Sequence, residues 1–259
     1  MRPTIRALAT LSVVGVLALS ACHSAVSASA GNSSSGTGGT LIVGMTAAEI
    51  PGLDTTEYES QGGEGGRFVG MQIYDGLTRW DLSQGTTVPK VVPGLAASWS
   101  VGSDGVTWTF KLRPNVTFTD GTPWNADAAV FNFDRYVNKS SPYYSAELNS
   151  QGGLDLAGVK SATKVDDMTI KIITNGPWAY LNEDLATLPM ASPTAVKKEG
   201  ENFSNNPVGT GPFKFQSETP GQQLVLVRNQ YPGPCHRCHR ERRHQLQRDV
   251  WPGGHGAVG

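Results

Sequence analysis

Residues 97–123 read Ala-Ser-Trp-Ser-Val-Gly-Ser-Asp-Gly-Val-Thr-Trp-Thr-Phe-Lys-Leu-Arg-Pro-Asn-Val-Thr-Phe-Thr-Asp-Gly-Thr-Pro, and they narrow the choice of fold more than any other stretch. Val106, Trp108, Phe110 and Leu112 alternate with Thr107, Thr109, Lys111 and Arg113, a period of two that gives a strand one apolar and one polar face. Ser103-Asp104-Gly105 before them supplies a hairpin turn, because glycine reaches positive φ without a Cβ clash. Asp120-Gly121-Thr122-Pro123 turns the chain again, and Asn125 is placed to cap a helix carrying Val130, Phe133 and Val137. A hairpin that feeds a helix predicts a mixed α/β chain.

The same mixture continues on both sides. Leu41-Ile42-Val43-Gly44-Met45 is a short apolar run that predicts a buried first strand, and Ile50-Pro51-Gly52-Leu53-Asp54 turns out of it. Phe68, Met71 and Gln72 predict a helix that exits through Tyr74-Asp75-Gly76-Leu77. Residues 159–165 and 168–174 predict two strands joined at Asp166-Asp167, with Met168, Ile170 and Ile172 on one face. Leu181, Leu185 and Leu188 have helical spacing within residues 178–188. Ser192 and Pro193 suit the N-cap and first position of another helix, with Lys197 and Lys198 near its end and Gly200 beyond. The glycines and prolines of Asn206-Pro-Val-Gly-Thr-Gly-Pro-Phe213 predict a rigid, close-packed crossover, followed by strands at 213–215 and 224–229.

Three segments together carry a resemblance: the hairpin-to-helix stretch at 97–123, Tyr74-Asp75-Gly76-Leu77-Thr78-Arg79-Trp80, and residues 206–213. They resemble the family 5 extracellular solute-binding proteins, which serve peptide and nickel ABC transporters, and the likeness covers residues 41–231. It implies a type II periplasmic-binding-protein-like α/β fold, in which two lobes hinge around a cleft. Residues 41–231 would form the first lobe, with an inserted subdomain at about 125–189, and the second lobe is expected to be missing from this chain. The resemblance implies ligand capture and no enzymatic activity. Expected partners are a di- or oligopeptide (or a nickel chelate or haem) and ABC permease subunits, with the protein a monomer. From topology, the first-lobe positions that would face ligand are Thr46, Ala48 and Glu49, with Trp124, Tyr143 and Tyr144 near the subdomain. Such a half-receptor is expected to bind its ligand weakly or not at all.

The ends of the chain carry different chemistry. Arg2 and Arg6 precede an apolar run from Ala7 to Leu19, too short for the ~20 residues a bilayer requires. Leu19-Ser20-Ala21-Cys22 follows and resembles a bacterial lipobox, which makes residues 1–21 a lipoprotein signal peptide, Cys22 the lipid-attachment residue, and 22–40 a lipidated, flexible tether. A plain secretory signal with an incidental cysteine is the alternative. The expected address is the outer face of the cytoplasmic membrane or the periplasm.

Residues 232–259 hold two of the three cysteines, four of the five histidines and five arginines, with no hydrophobic period. Cys235, Cys238 and His239 match Cys-x-x-Cys-His, the pattern of c-type haem attachment or half of a zinc site. The other readings are a frameshifted or prematurely ended version of family sequence, or a disordered basic tail. Read one base later, codons for 241–258 permit a strand followed by a helix, and the frameshifted reading is adopted as the expectation.

Several function classes are excluded. A formal net charge of −1 argues against nucleic acid. No Gly-x-Ser-x-Gly or His-Glu-x-x-His pattern occurs, and outside the tail the only histidine is His23, in the tether. No cofactor is expected. Asp166-Asp167 and Glu183-Asp184 read as solvated charge, and Trp99, Trp108 and Trp124 read more readily as core than as cleft.

Overall fold

The computed structural model describes residues 39–45, 52–54, 65–83 and 85–230. The chain divides into two units, Met1–Ile42 and Val43–Gly259. In the first, the described residues 39–42 form neither helix nor strand, and Leu41 and Ile42 are 87% and 88% exposed. The strand expected at 41–45 is therefore not formed. An apolar run becomes a strand only where a neighbour takes up its N–H and C=O groups, and no described strand pairs with it, although Met45 packs on the second core.

In the second unit a π-helical turn (Gly66–Gly70) runs into the short helix α1 (Met71–Ile73). Strands β1 (Thr78–Asp81) and β2 (Lys90–Pro93) form an antiparallel pair. Strands β3 (Ala96–Val101) and β4 (Thr107–Leu112) follow, joined at Gly105 with φ +68°. After them come helices α2 (Ala126–Val137) and α3 (Ala146–Leu156), then strands β5 (Val159–Asp166) and β6 (Thr169–Thr174). The last stretch holds α4 (Leu181–Asp184), α5 (Pro193–Glu199), a 3-10 turn (Gly200–Asn205), and the ribbon β7 (Phe213–Thr219) and β8 (Gln223–Arg228).

The central sheet has strand order β3-β4-β6-β5 and is antiparallel throughout. Trp108 lies opposite Ile172 and Phe110 opposite Ile170, so the apolar faces of two separate hairpins fuse into one. That face packs with α2 and α3 into a core that includes Phe110, Phe133, Tyr136, Leu148, Ile170 and Ile172. The sheet also reaches back across residue 125: its members at 159–174 pair with the hairpin at 96–112, so the segment 125–189 shares its core with residues before it.

A second core gathers Leu53, Val69, Ile73, Tyr74, Ala191, Ala195, Val196 and Phe203, with Phe215, Leu224 and Leu226 of the ribbon packed on it. Val208 borders both cores.

Helix starts are set by local chemistry. The Asn125 side chain accepts the Ala128 N–H at 3.0 Å, and the Ser192 hydroxyl accepts the Ala195 N–H at 3.2 Å. Helix α2 buries more than the expected stripe: Phe133 is fully buried while Val130 and Val137 are only partly so, and Ala128, Asn132 and Arg135 form a second buried flank. Buried Asn132 makes a two-way bond with the backbone of Ala191, donating to its carbonyl at 2.9 Å and accepting its N–H at 2.8 Å. The helix expected over 178–188 shrinks to the four residues of α4. Leu181, Leu185 and Leu188 are all buried as their spacing requires, but the helix has no side-chain N-cap, and Ala186 and Thr187 bond back three residues.

Candidate functional site

The crossover at 206–212 runs flush against the backbone of residues 72–74. A Cβ on Gly209 would meet the Ile73 carbonyl and the Tyr74 ring, and one on Gly211 would meet the carbonyls of Gln72 and Ile73. Only glycine permits this approach, and it lets the Gly211 N–H donate to the Ile73 carbonyl at 2.8 Å. Val208 accepts the Ser192 N–H and Gly209 accepts the Thr119 N–H, each at 2.9 Å. On the far side, Asn229 donates its backbone N–H to Pro212 and its side-chain amide to Gly211, each at 2.8 Å.

Two motifs singled out in the sequence meet here. The Thr210 hydroxyl donates to Asp75 Oδ2 at 2.8 Å, and the Asp75 carbonyl accepts the Met190 N–H at 3.1 Å. Asp75 keeps some exposed surface as a residue, yet its carboxyl is withdrawn from water. Desolvation raises its pKa, and the Thr210 bond and the Arg79 cation offset only part of that rise. This carboxylate is committed to structure.

A third segment is pinned beside it. The Leu53 N–H donates to the Ser204 carbonyl at 2.9 Å, and the Leu53 carbonyl accepts the Tyr74 hydroxyl at 2.6 Å. Asp54 accepts from Arg135 Nη2 at 2.7 Å, and the Arg135 side chain is only 4% exposed. The same guanidinium lies 5.7 Å from the centre of the Phe203 ring.

The sequence-expected positions fall out as follows. Thr46, Ala48 and Glu49 lie outside the described residues, as do Cys22, Cys235, Cys238 and His239. Trp124 is in the core, 2% exposed, its indole N–H donating to the Leu95 carbonyl at 3.1 Å and its ring edge-on to Phe118. Tyr143 is 38% exposed and tilts against Phe131, with Lys197 Nζ above both rings at 5.1 and 5.5 Å. Tyr144 is half-buried, its N–H bonded to the Ser141 carbonyl. The structure thus brings Tyr143 together with Lys197 and Phe131, and sets Trp124 apart from them in the core. Sequence reasoning passed over Asp54, Arg135 and Thr210. The available hint was spacing: Asn132 and Arg135, three apart, define a polar flank on a helix with apolar residues on both sides.

Among the described residues, no group of three His, Cys, Asp or Glu is placed to hold a metal ion. None of their helices is long and apolar enough to cross a membrane. The geometry serves to hold chain segments in place.

Comparison with known proteins is consistent with that picture. The sequence pattern of bacterial extracellular solute-binding proteins, family 5 (middle region), matches residues 90–233. The chain is 33% identical over 207 residues to the dipeptide-binding protein of Escherichia coli K12, covering 69% of this chain and 38% of that protein. It is 35% identical over 164 residues to di/tripeptide-binding protein 4 of Pseudomonas aeruginosa, covering 56% and 30%. Among solved structures, the periplasmic binding protein DppA of Helicobacter pylori, in complex with the peptide STSA, superposes with a TM-score of 0.61 at 29% identity, over 73% of this chain and 39% of that one. The chain thus spans less than two-fifths of the length of these relatives.

Proposed function

Because the chain belongs to the family 5 bacterial extracellular solute-binding proteins, we propose that it is the substrate-binding component of an ABC importer and captures short peptides. The match over residues 90–233, on a chain trace shared with a peptide-bound relative, is the observation that carries this reading. The mixed α/β fold is the periplasmic-binding type of those relatives. Extended peptides bind such proteins through backbone hydrogen bonds that tolerate varied side chains, and hinge closure around the ligand follows from a two-lobed relative's architecture. The positions proposed to face ligand remain Thr46, Ala48, Glu49, Tyr143 and Tyr144.

Permease subunits are the proposed partners, and the protein acts as a monomer and as a binder, without catalysis. The lipobox-like Leu19-Ser20-Ala21-Cys22 supports an exported protein, held on the outer face of the cytoplasmic membrane through lipid on Cys22 or periplasmic.

The test is a chemical-shift titration of the chain from residue 22 with di- to tetrapeptides up to millimolar concentration, a range that captures weak binding. Saturable shifts are expected, and in cells the protein should leave the membrane fraction on Cys22→Ser. Saturation by nickel-histidine or haem, with no response to any peptide, would replace the peptide reading.

A further inference from the structure

Asn175-Gly176 is the one Asn-Gly pair in the chain, and it stands just past the end of β6. Asn175 is exposed, and its side-chain amide bonds to nothing among the described residues. The Gly176 N–H is likewise free among them, and a Cβ built on Gly176 would meet nothing within 4 Å. Elsewhere such amides are held: the side chains of Asn125, Asn132, Asn138, Asn149 and Asn229 each bond to a neighbouring group. Asn175 and Gly176 thus set both reactants of one intramolecular reaction side by side and unbonded, and glycine, with no Cβ, hinders its own nitrogen least.

We propose that Asn175 is a site of spontaneous deamidation. The Gly176 backbone nitrogen attacks Asn175 Cγ and closes a five-membered succinimide, while Nδ2 leaves as ammonia with the proton that the attacking nitrogen gives up. Water then opens the ring. Opening at Cγ gives aspartate. Opening at the backbone carbonyl gives isoaspartate, whose main chain runs through Cβ and is one carbon longer.

That extra carbon falls where separate segments are joined. The Thr174 N–H donates to the Val106 carbonyl at 3.0 Å, the Asn175 N–H to the Gly158 carbonyl at 2.8 Å, and the Trp178 N–H to the Gly105 carbonyl at 3.3 Å. The Thr174 hydroxyl spans the pair itself, donating to the Gly176 carbonyl at 2.7 Å. Beyond it, Pro177 lies against Gly105 and the Trp178 ring against Gly158, so closely that a Cβ on either glycine would be crowded. A longer main chain between Thr174 and Gly176 shifts Pro177 and Trp178 from these seats, whereas aspartate keeps the ordinary backbone. The isoaspartyl product therefore loosens the join between the β3–β4 turn and the start of β5.

The test is warm incubation of the purified chain at pH 8, followed by peptide mapping. Asn175 should gain one mass unit before any other asparagine, with isoaspartate among the products. Gly176→Ala, which has room for its methyl group, should slow that gain at least tenfold and keep the thermal midpoint. Conversion elsewhere while Asn175 stays intact overturns the assignment, and so does an equal rate in Gly176→Ala. As isoaspartate accumulates, the chain should melt progressively earlier than Asn175→Asp, by a few degrees at full conversion. Coincident midpoints overturn the loosening.

Discussion

Asp75 and Thr210 stand 135 positions apart, yet their side chains share one hydrogen bond, and that bond gives the residue scale its clearest consequence. The Asp75 pKa is raised above its ordinary 3.8, with desolvation as the leading cause. Below 3.8 the folded and unfolded chains both carry the proton. Between that value and the folded-state pKa, the folded chain keeps a proton that the unfolded chain has released. The stability contributed by Asp75 is therefore fully present in acid and is lost as pH rises through the folded-state value. Asn at this position can still accept the Thr210 hydroxyl and never ionises. Asp75→Asn should gain stability relative to the unmodified chain between pH 3.5 and pH 7, read as the difference in urea midpoint at the two values. An equal difference at both would mean that the carboxylate is not under desolvation stress. Nothing in the local sequence distinguished Asp75 from a turn aspartate, because the residue that bonds its carboxyl lies 135 positions away.

At the scale of elements, what was legible is what is local. The caps at Asn125 and Ser192, the turn at Gly105, and the alternation in β4 and β6 each depend on residues a few positions apart, and each forms as expected. The misread elements depend on something further away. Helix α4 has the right apolar spacing but no cap to extend it, and the run at 41–45 has no strand beside it among the described residues. The crossover falls between these cases: its Gly-Pro composition announced close packing, while the surface it packs on was hidden. Its glycines are the sensitive points. Gly209→Ala should cost about 2–3 kcal/mol, since the nearest opposing atom is the Ile73 carbonyl oxygen, which is backbone and cannot step aside. Gly176→Ala, with open space around it, should stay within about 0.5 kcal/mol. Chemical denaturation of the pair measures the contrast, and equal losses would show that the crossover yields.

On the scale of the whole molecule, two cores share Val208, and the contacts that define the candidate site run between distant parts of the chain. Arg135 and Asp54 are 81 positions apart. Fold class was legible through motifs that resemble a known family, whereas the pinning of residues 52–54 was not, because no periodicity records which helix a buried arginine will reach. The order of strands in the central sheet carries a kinetic consequence. Each outer pair, β3 with β4 and β5 with β6, closes through a short turn, but joining β4 to β6 sets Lys111 beside Thr169 and encloses helices α2 and α3. Closing a loop of about sixty residues carries the larger entropy loss, and contacts so distant in sequence slow the search. Truncating that seam with Ile170→Val or Ile172→Val should chiefly speed unfolding in stopped-flow experiments; slowed refolding instead would place it in the early nucleus. If unfolding is what speeds up, the two hairpins form as separate pieces and the final join lies in the middle of the sheet, with both edges already made.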